Sequence, residues 1–480
     1  GFFNLGNHLA GFLELGLFPA LGVALFGRVK TLVRLLLALV VIAGLLGIVL
    51  STSRGGAVAT VVGLGAFVMM VLVVTAGRLK WKKIKVGLAV GVLGMLVLGG
   101  VGSFGKQVFA ESFEGGLTEQ KGFRFSAWEM ALEQSALAPV LGTGARTYEV
   151  YSRKFMPDSI VFLGNHAGLD AEFAHNDYLQ LLAEYGLVGL VLLVVAMVAV
   201  AWSALRYLWW FRRNVYGETG RASSTRLGVV LGSCGALAAL AAHSVLDFNM
   251  HVSVNALVAA TLVGFLANPG VRREEGGEGR RKMSVGRPLL VLMAAVCGVW
   301  VLWVGVPMFR AEILIRKGQM LARSESFLQA VGAYEKALEL DPKNYMGYHY
   351  RGASFVMLAD GTEIKQLARN YYVQAIEEFH RSRTLHPHNV YLLLSLGDAL
   401  SELRAEQSAE EIYRETIEWA PNHRRVWQRY GAHLLRVGRL EEAKEALERA
   451  LALEWYGSEP AQVKRWLKVI DQQLAREVAE

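Results

Sequence analysis

Long apolar runs with almost no charged residues fill most of the first 310 residues of this chain. A helix needs roughly 18 to 20 such residues to cross the hydrocarbon core of a bilayer. Hydrophobic residues make up 53% of the sequence, which excludes an ordinary soluble protein. The runs predict an all-α transmembrane bundle of about eight spans, at residues 9–27, 33–50, 56–76, 86–104, 186–205, 227–246, 252–267 and 288–309.

The basic residues are concentrated in alternate loops between these spans. Lys and Arg cluster at residues 28–34, 78–85, 206–226 and 272–287. Cytoplasmic loops carry such an excess, so the loop 105–185 and everything after residue 310 are predicted to lie outside the cytoplasm. In a bacterium with an outer membrane, that compartment is the periplasm. The net charge of +8 therefore reflects topology, and no nucleic acid is predicted as a partner.

The last third of the chain, residues 311–480, contains an internal repeat. Pro342, Pro387 and Pro421 each close a helix, and the last two are 34 residues apart, the tetratricopeptide period. The first two are 45 apart, which predicts an 11-residue insert around residues 360–370. We therefore predict an α-solenoid of about four helix pairs and a capping helix at 459–478, following a membrane domain at 1–310.

Equivalent positions of the four units carry equivalent residue types. Small residues let paired helices approach, and a large residue four positions later fills the gap to the next unit. These positions are Gly318, Gly352, Gly397 and Gly431 in the first helices, Ala330, Ala375, Ala409 and Ala443 in the second, and the large Tyr334, Phe379, Tyr413 and Leu447. The pattern resembles tetratricopeptide repeats, and the resemblance implies a groove that binds a protein partner.

Motifs of soluble enzymes are missing from the sequence. It has no phosphate loop, no Gly-rich dinucleotide turn, no His-Glu-x-x-His and no Gly-x-Ser-x-Gly. Cys234 and Cys297 both lie inside apolar runs, where we interpret them as packing residues. The spacing of His and acidic residues fits no standard metal site, so neither a metal nor a cofactor is predicted. Chemistry is expected on the outward face of the membrane domain.

Two arginines on that face are candidate phosphate anchors. Arg54 lies in the outward turn Ser-Thr-Ser-Arg-Gly-Gly. Lys and Arg are otherwise concentrated in the cytoplasmic loops, so an Arg on the outward side needs an explanation. Arg holds phosphate by bidentate hydrogen bonds, whereas the alternative is a helix-end Arg that only extends to the interface. Arg124 precedes an amphipathic stretch at 128–136. It is either a second anchor or an interfacial Arg paired with Glu129 or Glu133.

His175 is the candidate general base. It sits where a helix would begin before the fifth span, and the positive end of the helix dipole favours neutral imidazole there. Neutral His is suited to take a proton from a sugar hydroxyl, while the alternative is a His that only caps the helix. Asn176 or Asp177 is predicted as a helix cap.

Further polar residues are placed at the same outward ends. A carboxylate such as Glu14 within a span is unfavourable and therefore often functional, or it pairs with a helix outside this sequence. His243, Asp247 and His251 flank the outward turn after the sixth span. Either these side chains line a cleft or they cap helices at the interface. The candidates for lining the cleft are Asn7, His8, Glu14, Asn176, Asp177, Tyr178 and Asp247.

The order of these motifs is similar to that of the O-antigen ligase and O-antigen polymerase superfamily, over roughly residues 1–267. The motifs are Asn7-His8-Leu9-Ala10-Gly11, Ser53-Arg54-Gly55, Arg124 with Trp128, Gly142-x-Gly144, and His175-Asn176-Asp177-Tyr178-Leu179. The resemblance implies an inverting, metal-independent glycosyltransferase in the bacterial inner membrane, using a glycan on undecaprenyl pyrophosphate. It implies that Arg54 and Arg124 hold the pyrophosphate and that His175 activates the acceptor hydroxyl. Members have about a dozen spans, so several amino-terminal spans are expected to be missing.

The resemblance leaves the acceptor open. It is lipid A-core for an O-antigen ligase, a glycan for a polymerase, or a protein for an O-glycosylating ligase. Repeats of this kind occur on some members, and here we expect them to recruit the acceptor or a protein partner. A different class is a non-catalytic membrane scaffold that displays the repeats. The matching order of Arg54, Arg124 and His175 argues against it, since a scaffold needs none of them.

Overall fold

The computed structural model describes residues 6–75, 116–157, 171–216, 223–267, 286–453 and 461–479. Contacts divide the chain into two compact units, one of residues 1–152 and 161–275 and one of residues 153–160 and 276–480. Throughout the described residues the regular elements are helical, which confirms the predicted all-α fold.

Eight α-helices precede residue 268 in the described part of the chain. They are α1 (Gly6–Phe26), α2 (Thr31–Leu50), α3 (Arg54–Thr75), α4 (Gly116–Leu137), α5 (Tyr148–Lys154), α6 (Asp177–Phe211), α7 (Thr225–His243) and α8 (Ser253–Ala267). Among all described residues, six helices are long and apolar enough to cross a membrane: α1, α2, α3, α6, α7 and a later one at Ala295–Arg323. The apolar α8 has 15 residues and is shorter. The predicted span at 86–104 lies outside the described residues.

Helices α1 and α7 pack at the centre of the first unit through small residues. A side chain added at Gly22 would lie 2.0 Å from the Gly228 carbonyl oxygen, so the two backbones touch directly. Helix α2, in contrast, exposes apolar side chains such as Leu32, Leu35 and Leu39. Lipid tails are as apolar as leucine, so close packing of small residues, rather than burial of leucines, joins helices in a bilayer.

The second unit consists of consecutive helix pairs and a final helix. These are α9 (Gly286–Arg323) with α10 (Phe327–Leu340), α11 (Tyr345–Asp360) with α12 (Lys365–Leu385), α13 (Val390–Glu402) with α14 (Glu406–Trp419), α15 (Arg424–Arg436) with α16 (Leu440–Ala452), and α17 (Ala461–Ala479). Helix α9 is continuous over 38 residues, so the last apolar run and the first repeat helix form one element.

The glycines of the repeat units are where the large residues insert. A side chain on Gly318 would lie 2.4 Å from the ring of Tyr334, and one on Gly352 would lie 2.7 Å from the ring of Phe379. Gly397 meets Tyr413, and Gly431 meets Leu447, in the same way. The alanines at 330, 375, 409 and 443 are fully buried. The predicted interlocking of the repeat helices is therefore confirmed.

The predicted insert near residues 360–370 lengthens a helix pair and does not form a long loop. Helices α11 and α12 have 16 and 21 residues, against 14 in α10, and residues 361–364 alone connect them. Helical residues satisfy their backbone polar groups within the helix, which a loop of the same length would not do.

Candidate active site

Four histidines and two aspartates gather where the starts of α1 and α6 meet the turn between α7 and α8. His8 of α1 lies close enough to Asp247, His175, His243 and Asp177 to interact with their charges. His251 contacts Asp177 from the other side, with 3.0 Å between Nδ1 and Oδ1. The polar residues that the sequence places at several different helix ends thus form one cluster in the first unit.

His175 and Asp247 form a pair at this cluster. The Nδ1 atom of His175 lies 3.3 Å from Oδ1 of Asp247; the histidine side chain is 23% exposed and the aspartate 2%. A carboxylate at Nδ1 fixes the ring and its tautomer, which leaves Nε2 with the lone pair. The pair therefore presents an accessible base that is oriented by a buried acid.

Asp247 is held as a carboxylate. Burial by itself would raise its pKa, but the contact with His175, the backbone N–H of Phe248 and the charge of Arg124 together place the pKa below the usual value. The Phe248 N–H donates to Oδ1 over 2.9 Å. At neutral pH the group beside His175 is therefore negative and stabilises an imidazolium.

The backbone of His175 is unusual, with φ of +50°. A non-glycine residue in this left-handed region is uncommon and has to be held there by its surroundings. The Trp128 indole N–H points at the His175 carbonyl over 3.4 Å, and the Phe248 ring meets the imidazole edge-on at 4.8 Å. Phe173 stacks on the Phe248 ring, with 4.2 Å between the ring centroids. These contacts hold the imidazole on a rigid aromatic support.

The residues after His175 anchor the start of α6. Asn176 is the N-cap, and its side-chain oxygen accepts from the N–H groups of Tyr178 and Leu179, both over 3.0 Å. The cap is therefore Asn176, and the alternative in which His175 itself caps the helix is wrong. The Tyr178 hydroxyl donates to the Ala241 carbonyl over 2.8 Å, which ties α6 to α7.

Asp177 ties the start of α6 to the turn between α7 and α8. Its backbone N–H donates to the Ser244 carbonyl over 2.9 Å. Its two carboxylate oxygens contact His251 Nδ1 and accept from the Met250 N–H over 3.1 Å. Asp177 therefore fixes the segment that carries Asp247 against the segment that carries His175.

Helix α6 is interrupted at Gly186, with φ of +64° and ψ of −166°. The turn at Gly142, which has φ of +74°, packs against this interruption. The next residue, Thr143, donates its N–H to the Ala183 carbonyl over 3.1 Å. A side chain at Gly186 would lie 2.4 Å from the Val140 carbonyl oxygen. Glycine is required at both positions, because neither the backbone angle nor the space accepts a Cβ atom.

Glu184, two residues before Gly186, holds the loop that follows Gly142 through its carboxylate. It accepts the N–H groups of Arg146 over 2.9 Å and Tyr148 over 3.3 Å, and the Gln180 amide over 3.2 Å. Tyr148 in turn donates its hydroxyl to the Ala127 carbonyl of α4 over 2.8 Å. This buried network fixes α4, and with it Arg124 and Trp128, against α6.

The two predicted anchors differ in their surroundings. Arg124 on α4 is half-buried and near enough to Asp247 to lower the pKa of that carboxyl group. No ion pair links it to Glu129 or Glu133 in the described part of the chain. Arg54 is the first residue of α3 and is exposed. The next residue, Gly55, packs against the imidazole of His243.

Glu14 lies inside the bundle with His243. Both side chains are fully buried, and 3.1 Å separates the Glu14 Oε1 and His243 Nδ1 atoms. Asn7 is half-buried on α1. His8 packs edge-on against the Phe248 ring, with 4.8 Å between the ring centroids. Within the described residues, no group of three or more His, Cys, Asp or Glu is arranged to hold a metal ion.

The sequence predicts correctly which helix ends meet at the site, but it does not predict several of the side-chain pairs found there. Asp247 was placed near the cleft and not identified as the partner of His175. Glu184, Phe248 and the partnership of Glu14 with His243 were also missed. The sequence does carry a signal for Glu184, because an acidic residue at the start of an apolar span is unfavourable and often functional.

Comparison with known families agrees with these motifs. Residues 37–194 match the O-antigen ligase family model, and residues 311–344 and 425–454 match a tetratricopeptide repeat model. The chain therefore carries an O-antigen ligase domain, which includes Arg54, Arg124 and His175, followed by tetratricopeptide repeats. A comparison with curated proteins found no match.

Among solved structures, the chain is similar to several repeat proteins. A thermophilic tetratricopeptide protein of Thermus thermophilus is 15% identical, over 38% of this chain and 95% of its own, with a TM-score of 0.31. The tetratricopeptide domain of Arabidopsis OM64 is 21% identical, over 26% and 96%, with 0.23. YrrB, described as having an unusual peptide-binding site, is 20% identical, over 34% and 76%, with 0.27. At these scores the structures say nothing about what this chain binds.

Proposed function

We propose that this protein is a membrane glycosyltransferase that transfers a glycan from undecaprenyl pyrophosphate to an acceptor hydroxyl. The observation that carries the proposal is the His175–Asp247 pair, at 3.3 Å, beside Arg124 in a domain that matches O-antigen ligases. A base that is oriented by a buried acid can activate the acceptor hydroxyl. A neighbouring cation can stabilise the phosphate that leaves.

In the proposed reaction, His175 Nε2 takes the proton of the acceptor hydroxyl. The acceptor oxygen then attacks the anomeric carbon of the donor glycan from the face opposite the phosphate. The bond from that carbon to the phosphate oxygen breaks, and undecaprenyl pyrophosphate leaves with the electron pair. Configuration at the anomeric carbon is inverted. Asp247 stabilises the imidazolium that forms, as an acid does for the His of a catalytic triad.

Arg54 and Arg124 are proposed to hold the pyrophosphate. Negative charge on the leaving phosphate grows as the glycosidic bond breaks, and a fixed guanidinium stabilises that charge more than it stabilises the intact donor. Neither a metal nor a cofactor has a part in this scheme. Charge compensation comes from the two guanidinium groups, which offer bidentate contacts to phosphate oxygens.

The site is proposed to face the periplasm of a bacterial inner membrane. The support is the charge pattern, since Lys and Arg cluster in the loops predicted at the opposite side. On the same pattern, we propose that the tetratricopeptide unit also lies in the periplasm. There it would recruit the acceptor or a protein partner, in keeping with the general use of such repeats as binding surfaces.

The acceptor distinguishes a ligase from its alternatives. A ligase would use lipid A-core, a polymerase a second lipid-linked glycan, and a protein O-glycosylating ligase a polypeptide. Full-length protein in nanodiscs, given labelled undecaprenyl-pyrophosphate glycan and each acceptor in turn, should label one of them. If folded protein labels none and leaves the donor intact, a non-catalytic scaffold replaces the enzyme.

A further inference from the structure

A buried acid–base pair, Glu14 with His243, lies beneath the turn that carries Arg54 and has no part in the proposed reaction. The residues are 229 positions apart, yet Oε1 and Nδ1 are separated by 3.1 Å and both side chains are 0% exposed. Burying two ionisable groups requires a large desolvation free energy, and an apolar pair of similar volume is often no less stable. The pair therefore calls for a role other than stability.

The pair touches the backbone immediately after Arg54. A side chain at Gly55 would lie 3.2 Å from both Cδ2 and Nε2 of His243. One at Gly56 would lie 2.6 Å from the Ala10 methyl group and 3.2 Å from Glu14 Oε1. The first turn of α3 thus rests on the imidazole and the carboxylate, with no space between them.

The orientation of His243 suits this position. Its Nδ1 faces Glu14, while Nε2 is buried, without a hydrogen-bond partner among the described residues, and lies against Gly55. A proton on Nδ1 leaves a lone pair on Nε2, directed at the start of α3. The start of a helix carries partial positive charge, so the carboxylate, imidazole and helix dipole are arranged with complementary signs.

The turn itself is short and fixed by serines. Helix α2 ends at Leu50 and α3 begins at Arg54, so three residues connect them. The Ser53 hydroxyl accepts the Gly56 N–H over 3.0 Å, and the Ser51 hydroxyl accepts the Ser53 N–H over 3.3 Å. With Gly55 and Gly56 seated on the pair, the Cα atom of Arg54 has little freedom to move.

We propose that Glu14 and His243 are positioning residues that set the place of Arg54 for the donor pyrophosphate. This inference rests on the proposed function, because it assumes that Arg54 binds the donor. The pair acts through packing on Gly55 and Gly56 and does not touch the substrate. Bidentate contacts need accurate placement, and errors of about 1 Å can reduce rates by about 100-fold.

The first test compares Gly55→Ala with Gly65→Ala. Both changes add one methyl group to α3, but at Gly65 nothing lies within 4 Å, whereas at Gly55 the methyl group meets His243. We expect Gly55→Ala to raise the donor KM by about 10-fold and to leave the acceptor KM within about twofold. Gly65→Ala should change neither. Equal donor KM values for the two variants would overturn the inference.

The second test replaces the pair. The double variant Glu14→Met with His243→Leu keeps the volume and removes the polar contact, and Ser233→Ala serves as the control, a fully buried polar group on the same helix. The double variant should fold and raise the donor KM, and Ser233→Ala should not. Glu14→Gln, which still accepts from Nδ1, should retain a donor KM close to that of the wild type.

A double-mutant cycle identifies the route of the effect. If the pair acts through Arg54, then Gly55→Ala should change the donor KM by less than about twofold in an Arg54→Ala background. A full 10-fold effect in that background would contradict the positioning role alone. If Arg54→Ala leaves the donor KM unchanged, the proposed function of Arg54 fails, and the positioning role fails with it.

Discussion

The Nδ1 atom of His175 lies 3.3 Å from Oδ1 of Asp247, although the two residues belong to different helix-flanking segments far apart in the sequence. Asp177 joins those segments through the Met250 N–H and the His251 ring. A partly exposed imidazole beside a buried carboxylate is the arrangement of a general base. We therefore propose His175 as the general base of the region that matches the O-antigen ligase family.

Replacement of the two arginines should affect donor capture as well as turnover. Arg54→Ala and Arg124→Ala each remove a charge-assisted contact with pyrophosphate, so the donor KM should rise and kcat should fall. Lys should restore little, because it offers a point charge in place of a planar fork. Arg34→Ala, at the other end of α2, should leave both constants unchanged. Steady-state transfer kinetics with a labelled lipid-linked glycan would measure this.

The glycines at the interruption of α6 should be intolerant of substitution. Gly186→Ala and Gly142→Ala place a Cβ atom 2.4 and 2.3 Å from backbone atoms at positive φ, so we expect a loss of more than about 1 kcal/mol of stability. Transfer should fall too, since this contact holds α4 against α6. Gly264→Ala, which has nothing within 4 Å, is the matched control. If thermal unfolding of all three variants coincides, this view of the interruption is wrong.

The fold was predictable wherever local pattern decides it. The spacing of 16 residues between Gly318 and Tyr334 recurs in the third and fourth units, and the second unit differs by the 11-residue insert. Paired helices meet at such fixed positions, so one sequence reveals the contact. Hydropathy likewise located the six long apolar helices of the described residues. It started the fifth span at Gly186, where α6 is interrupted by a residue with positive φ, and the more polar first turns of α6, from Asp177, precede that point.

The candidate site was predictable in composition but not in its pairings. Residue types and order pointed to His175, Arg54 and Arg124. Which carboxylate meets His175 depends on how two irregular turns pack, and no periodicity reports that. The same holds for Glu14 and His243, which are joined only by the close approach of α1 and α7.

Acid should weaken the repeat unit through His349. Burial lowers the pKa of this imidazole from 6.5 to about 4. The unfolded chain therefore takes up the proton first, and stability is full above pH 6.5 and declines as the pH falls toward about 4. His349→Gln keeps a donor for the Ser395 hydroxyl and does not titrate. Its unfolding temperature should drop less than that of the wild type between pH 7.5 and pH 5; equal drops would contradict this assignment.

Topology can be tested with single cysteines in a background lacking Cys234 and Cys297. An impermeant maleimide added from the periplasmic side should label Ala145→Cys and Glu363→Cys, and should not reach Asn214→Cys until the membrane is permeabilised. The reason is the excess of Lys and Arg in the loop that contains Asn214. Labelling of Asn214→Cys in intact cells would reverse the orientation.

The most direct test of the catalytic proposal is single-turnover transfer by His175→Ala, with defined donor and acceptor and with donor binding measured separately. A general base contributes about 100-fold to 10,000-fold in rate without holding the substrate. We predict a loss in that range with donor binding nearly intact, and a smaller loss in the same step for Asp247→Asn, which no longer stabilises the imidazolium. Transfer by His175→Ala at the wild-type rate would contradict the account, since the imidazole would then have no part in activating the acceptor.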